Sequence, residues 1–261
     1  MVWMAAEPVP RPSLAATIHC WWKERSAHDG FFSTLNRFIS LLWEFVRDSM
    51  PSRRRRRYGD VEYDWDHRVD TTSATVGWRD RLLGLFHSPY QPTDPALFRE
   101  MLAQIMQVRP NIDFREYTFI DIGSGKGRVL LMAADYPFRR IVGVELLPEL
   151  DRVAQENISK YKSDSRRRFA VESICGDALE FEFPPEPAVL YLFNPLPEAG
   201  LVEMLGNLER SLREHPRPVF VLYHNPLLEH VLARSVVLKK IAGTHQYSIF
   251  AIEPTISDTL I

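Results

Sequence analysis

The sequence predicts an α/β fold: a seven-stranded, mainly parallel sheet with helices on both faces, plus a helical N-terminal extension. Three observations predict it. Strand-length apolar runs alternate with segments whose apolar residues recur at helical spacing, and such alternation demands parallel strands joined by crossover helices. A glycine turn, Gly123-Ser124-Gly125-Lys126-Gly127, directly follows the first of those runs. Open α/β sheets bind ligands at that end of their strands. The chain has 261 residues, 45% of them hydrophobic and 25% charged, which suits one large core in a soluble protein.

Residues 1–57 read as a tail, an amphipathic helix and a basic linker. Pro8, Pro10 and Pro12 keep the tail extended, and no secretory signal pattern is expected there. Phe31, Leu35, Phe38, Leu42 and Phe45 recur at helical spacing, with Asn36, Arg37, Ser40 and Glu44 interrupting the stripe. A helix packed on the main domain fits that pattern; a membrane span does not. Five arginines at residues 53–57 follow and read as a solvated linker. The second reading of residues 31–57 is an interfacial helix in peripheral contact with anionic lipid. Residues 58–89 form a loop-containing approach segment, in which Asp64, Asp66 and Asp70 read as exposed acids and not as metal ligands. Residues 90–261 form the ligand-binding domain.

Within that domain, Asp94 caps a helix with Pro95 in its first turn and Leu97, Met101, Leu102 and Ile105 on its buried side. Tyr117, Phe119, Ile120 and Ile122 make the first strand, residues 129–134 a helix on the sheet, and residues 141–144 a second strand ending at Glu145. Residues 148–161 turn Leu150, Val153, Ala154 and Ile158 inward. Residues 169–175 make a third strand, with Cys175 expected to be buried, after a loop with three arginines at residues 166–168. Residues 189–193 are the fourth strand. Residues 198–214 place Leu201, Leu205, Leu208 and Leu212 on one helical face. Residues 219–223 are the fifth strand, followed by a helix through Leu227, Leu228, Val231 and Leu232. Residues 236–241 and 247–252, joined through Gly243, complete the seven.

The glycine loop discriminates between ligands. A dinucleotide fingerprint is Gly-x-Gly-x-x-Gly, its third glycine letting the helix pack on the strand. Here that place is Arg128, and the glycines run Gly-x-Gly-x-Gly. Asp121, two places before the first glycine, repels a pyrophosphate but suits the ammonium of an amino-acid-like ligand. Glu145, at the next strand tip, is placed for both hydroxyls of a ribose. Together they describe a pocket for S-adenosyl-L-methionine, a nucleoside carrying a methionyl group.

Asp121-Ile122-Gly123-Ser124-Gly125-Lys126-Gly127 with Glu145 resembles the first two motifs of the class I S-adenosylmethionine-dependent methyltransferases. Ile174-Cys175-Gly176-Asp177-Ala178 resembles their third. The resemblance covers about residues 90–254 by element order. It implies a Rossmann-like fold closed by a hairpin, methyltransferase activity, and a cofactor held by Asp121, Gly123, Ser124, Gly125, Gly127, Glu145, Asp177 and Ala178. Asp177 is implied to take the adenine amino group. Lys126 reads as an exposed loop lysine, with the cofactor carboxylate as its other reading.

Upstream, Tyr90-Gln91-Pro92-Thr93 is similar to a loop of the non-SET lysine methyltransferases that closes over the methionyl end, which implies cofactor contacts for Tyr90 and Thr93. After the fourth strand, Asn194-Pro195 matches the first half of the Asp/Asn-Pro-Pro-aromatic motif of amino-methylating members, but Leu196 and Pro197 depart from it. Asn194 is therefore the catalytic candidate, with an Asn-Pro turn as the plain alternative. A protein lysine or a small molecule is the expected acceptor, and nucleic acid the less favoured one. His224 is either a general base or a residue that orders its loop.

The eight histidines show no metal-ligand spacing, so no catalytic metal is expected. Net charge is −2; residues 1–58 hold ten Lys/Arg against five Asp/Glu, leaving 22 against 29 for the rest. Cys20 and Cys175 are far apart, which suits a reducing, cytoplasmic setting. Two other function classes stay open. One is an NAD(P)-dependent oxidoreductase, against which Arg128 and Asp121 speak. The other is a non-catalytic, membrane-associated protein of methyltransferase-like fold working through residues 31–57.

Overall fold

The computed structural model describes residues 61–71, 92–161 and 170–252, with the single positions His19, Lys23, Leu35 and Ile39. Tyr90, most of the stripe at residues 31–57, and the arginines at residues 53–57 and 166–168 lie outside the described residues.

The elements are α1 (Val61–His67), α2 (Pro95–Val108), a 3-10 turn (Phe114–Glu116), β1 (Thr118–Ile122), α3 (Arg128–Ala133), β2 (Arg140–Glu145), α4 (Pro148–Lys160), β3 (Val171–Cys175), β4 (Ala188–Leu192), α5 (Glu198–Glu214), β5 (Val219–His224), α6 (Glu229–Ala233), β6 (Lys239–Gly243) and β7 (Tyr247–Ile252). The seven strands form one sheet in the order β3-β2-β1-β4-β5-β7-β6. β1 to β5 pair in parallel, and β7 enters antiparallel between β5 and β6. The predicted Rossmann-like sheet is therefore present, closing hairpin included. Strand order reverses between β1 and β4, and sheets of this kind bind ligands beyond the carboxyl ends of the strands at such a reversal.

Pleating sends alternate residues to opposite faces. Phe119, Ile141, Val189, Tyr191, Phe220 and Leu222 share one core with residues of α2 and α3. Ile120, Ile122, Leu190, Leu192 and Val221 share the other with α5 and α6. β1, β4 and β5 are buried along their whole length, which is why they read as unbroken apolar runs. α2 starts as the sequence predicts: Asp94 accepts a 2.7 Å hydrogen bond from the Ala96 amide, and Pro95 fills the first helical position. α5 buries Leu201, Met204, Leu205, Leu208 and Leu212, each contributing about 1.5–3 kcal/mol through burial.

Several expectations are corrected. Cys175 is exposed, because β3 is an edge strand with a neighbour on one side only. α6 begins at Glu229; Leu227 stays 71% exposed in the turn where its amide donates to the Asn225 carbonyl. Val236 is 92% exposed, since β7 offers β6 no partner before Lys239. The approach segment holds a helix, α1, in which Tyr63 stacks on His67 one turn later and His67 on Tyr161. Asp64 is buried there and accepts hydrogen bonds from the Thr71 amide and hydroxyl, whereas Asp66 and Asp70 are exposed as expected. No helix among the described residues is long and apolar enough to cross a membrane.

Candidate active site

After β1 the chain turns through Gly123, Gly125 and Gly127 at φ of +77°, +56° and +81°, a region that strains residues bearing a Cβ. The amides of Gly123 and Ser124 both donate to the Val144 carbonyl (2.8 and 3.1 Å), folding the loop over the tip of β2. Space is as restrictive as torsion. A Cβ on Gly123 would lie 2.8 Å from Cβ of Pro195, and one on Gly127 would lie 3.1 Å from Cβ of Ala154. Gly143 notches the middle of β2, where a Cβ would come within 2.6 Å of both Leu130 Cδ1 and Ser124 Oγ.

Asp121 and Glu145 occupy the same sheet face as Phe119 and Ile141, two residues further along β1 and four further along β2. Asp121 is 3% exposed, and its carboxylate receives no hydrogen bond from the described residues. Burial, reinforced by the charge of Glu145, lifts its carboxyl well above the ordinary aspartate range. Glu145 is also raised by burial, and the backbone amides of Leu147, Gly125 and Leu146 work against that rise. Its Oε2 accepts from Gly125 N (2.8 Å) and its Oε1 from Leu147 N (2.9 Å). An ionised carboxylate has about four lone-pair sites, so capacity for ribose hydroxyls is left. After β3, Asp177 Oδ1 accepts from the Leu179 amide at 2.9 Å, beside buried Ala178. Ser124 Oγ is buried with no hydrogen-bond partner among the described residues. A buried carboxylate and a buried hydroxyl, both without a hydrogen-bond partner among the described residues and both at a glycine loop, fit a ligand that brings a cation and its own polar atoms. S-adenosylmethionine is such a ligand.

On the same face, a second cluster lies across β4 and β5. Thr93, 2% exposed just before α2, pairs its hydroxyl with Tyr191 Oη at 2.8 Å, and Tyr191 Oη pairs with His224 Nδ1 at 2.7 Å. Phe193 covers the His224 ring, centroids 3.9 Å apart. Burial pushes the imidazole down to about 4, with the Asp94 charge a weaker opposing influence. Asn194 adopts a left-handed φ of +46°. Its Oδ1 accepts from Tyr223 Oη (2.8 Å) and its Nδ2 donates to the Asn225 carbonyl (2.7 Å). That side chain thus stitches together the turns after β4 and β5.

Lys126 departs from expectation. It is 1% exposed, and its Nζ lies 2.9 Å from Asp70 Oδ1. Asn157 completes the connection: its Nδ2 donates to the carbonyls of Asp70 (2.8 Å) and Lys126 (3.0 Å), and its Oδ1 accepts from the Asp70 amide (2.9 Å). The chain after α1 is thereby latched to both the glycine loop and α4. Sequence reasoning missed Asn157, although it falls three residues past Ala154 on the inward stripe. Tyr191 was also missed, because nothing in a strand pattern announces a buried hydroxyl network. Among the described residues, no group of three or more His, Cys, Asp or Glu is placed to hold a metal ion.

Residues 120–196 match a family model described as a methyltransferase domain. No curated protein matches the sequence. Among solved structures, the chain is similar to an RNA methyltransferase from Salinibacter ruber in complex with S-adenosyl-L-homocysteine, at 22% identity and a TM-score of 0.42, covering 65% of this chain and 99% of that one. It is also similar to a ribosomal protein L11 methylase from Lactobacillus delbrueckii subsp. bulgaricus, at 16% identity and a TM-score of 0.39, covering 59% and 78%. A third is TrmK from M. capricolum in complex with S-adenosyl-homocysteine, at 12% identity and a TM-score of 0.36, covering 58% and 68%. The sheet order is that of a Rossmann-like fold, and residues 120–196 within it, which carry the glycine loop, Asp121 and Glu145, are similar to a methyltransferase domain.

Proposed function

We propose that the chain is an S-adenosylmethionine-dependent methyltransferase and that the methyl group goes to an amine, on a protein lysine or a small molecule, presented between the tips of β4 and β5. The supporting observation is the uncharged aromatic surface made by Phe193 and His224, ring centroids 3.9 Å apart, beside the Asn194 turn at the tips of β4 and β5. It can take up an uncharged amine without a competing carboxylate hydrogen bond. The similarity of Tyr90-Gln91-Pro92-Thr93 to the non-SET lysine methyltransferases agrees with that acceptor.

When bound, S-adenosylmethionine supplies a methyl on a sulfonium that leaves as a neutral thioether, so no proton donor is needed. The protein's share is positioning, worth up to about 7–11 kcal/mol. In this reading Asp121 takes the methionyl ammonium, Glu145 the ribose hydroxyls and Asp177 the adenine amino group. Gly123, Gly125 and Gly127 admit the backbone closely, with Ser124 and Ala178 lining the site. Thr93, held by Tyr191, and Tyr90 close the methionyl end. Asn194 acts through its backbone carbonyl, since its side-chain amide is engaged at both ends. In this reading the setting is cytoplasmic, with residues 31–57 packed on the main domain and a peripheral membrane contact through them as the second reading.

The test is incubation of the full chain with methyl-labelled S-adenosylmethionine and cell extract, followed by fractionation. Label in protein lysine or in small amines is the expected outcome. Label confined to nucleic acid would overturn the amine reading.

A further inference from the structure

The hydrogen-bonded row Thr93–Tyr191–His224 ties the chain before α2 to β4 and β4 to the end of β5. Tyr191 and Thr93 are 1% and 2% exposed, and each hydroxyl has its partner within 2.8 Å. Burial raises the Tyr191 phenol well above its ordinary range, so it remains a hydroxyl with one proton to give. His224 is the last residue of β5, at the carboxyl edge of the sheet. Its Nδ1 is tied inward to Tyr191, which directs Nε2 away from that partner. No described residue makes a hydrogen bond to Nε2.

We propose that Tyr191, anchored by Thr93, fixes His224 in the Nδ1–H tautomer, so that the bare Nε2 accepts an N–H of the incoming amine and aims its lone pair at the methyl. This rests on the amine reading above. In this proposal Tyr191 gives its proton to Thr93 Oγ1, a direction that the 2.8 Å hydroxyl pair permits. Its oxygen then accepts from His224, which leaves the ring proton on Nδ1, whereas the opposite direction would place it on Nε2. During transfer the amine lone pair forms the N–C bond, the C–S bond breaks, and its electron pair stays on sulfur. The amine keeps its proton, shared with Nε2, until the methylated ammonium product releases it to water. His224 is a hydrogen-bond acceptor here and not a general base, because a ring that resists protonation down to about pH 4 is a poor sink for an ammonium proton. Asp94 at the start of α2, Tyr191 of β4 and Tyr247 of β7, with Glu100 of α2 behind it, are the titratable groups around the ring. In this scheme His224 is a catalytic residue and Tyr191 a positioning residue.

The test uses the full chain with 15N-labelled histidine and saturating S-adenosylhomocysteine. Long-range proton–nitrogen spectra report the tautomer without any acceptor. The expected result is a neutral Nδ1–H ring at His224 from pH 5 to 8 that loses its tautomer preference in Tyr191→Phe. An Nε2–H ring in the unsubstituted protein overturns the proposal. In the labelled-extract assay, His224→Ala is expected to lose methyl incorporation about 10²-fold, as for the removal of one aimed hydrogen bond from a closed site. Its calorimetric affinity for S-adenosylhomocysteine should stay within about twofold. Incorporation by His224→Ala equal to that of the unsubstituted chain overturns the proposal alone. Absence of amine label from the unsubstituted chain overturns the amine reading, and the spectra still decide the tautomer.

Discussion

Burial keeps a proton on Asp121 at pH values where an ordinary aspartate has lost it, and a bound ammonium reverses that balance. Binding S-adenosylhomocysteine should therefore release a proton, and its affinity should rise with pH until Asp121 ionises in the free protein. Calorimetry in buffers of different ionisation enthalpy measures this directly. Asp121→Ala should abolish the proton release and weaken binding by about 1.5–3 kcal/mol, the range for a hydrogen bond to a charged group. His224 titrates with the sign of a depressed base. Its folded value of about 4 lies below the ordinary 6.5, so the unfolded chain takes the proton first. The stability it contributes is complete above pH 6.5 and is lost as pH falls toward 4, a limit of roughly 3 kcal/mol. Urea titrations of His224→Gln should show a correspondingly flatter pH profile across that window. Gly143→Ala probes packing instead: its Cβ would meet Leu130 and Ser124 at 2.6 Å, an overpacking cost of about 1–3 kcal/mol. That should appear as a lower urea midpoint at unchanged slope.

Among the elements, the latch between the end of α1 and the glycine loop is the most exposed to test. Asn157→Ala leaves the Asp70 amide and the Asp70 and Lys126 carbonyls short of a partner, a loss of about 1–3 kcal/mol. Hydrogen exchange across residues 61–71 should quicken with it. Legibility divides along the same lines. α2 and α5 could be read because a cap or a long apolar stripe marks them over 14 and 17 residues. α1 could not, since seven residues hold too few turns for periodicity to show. The carboxylates at the strand tips were legible because each ends an apolar run. Lys126 was not, because the acid it meets lies 56 residues earlier in the chain. The Tyr191 network was invisible for the same reason: its partners come from before α2 and from the end of β5.

At the scale of the whole molecule, ligand and fold are linked by mass action. S-adenosylhomocysteine at 100 times its dissociation constant should add about 2.7 kcal/mol to unfolding stability, seen as a raised melting temperature. The same concentration should do less for Asp121→Ala.

In the proposed reading the strand order also separates two duties that many enzymes mix. β1, β2 and β3 present Asp121, Glu145 and Asp177 at their ends, whereas β4 and β5 present Asn194 and His224. A protein engineer could therefore exchange the loops after β4 and β5 for foreign ones, redirecting the chemistry to new targets while leaving the nucleoside grip untouched. One residue must survive any such graft: the ring of Pro195, which lies against Gly123 and forms the seam between the two halves.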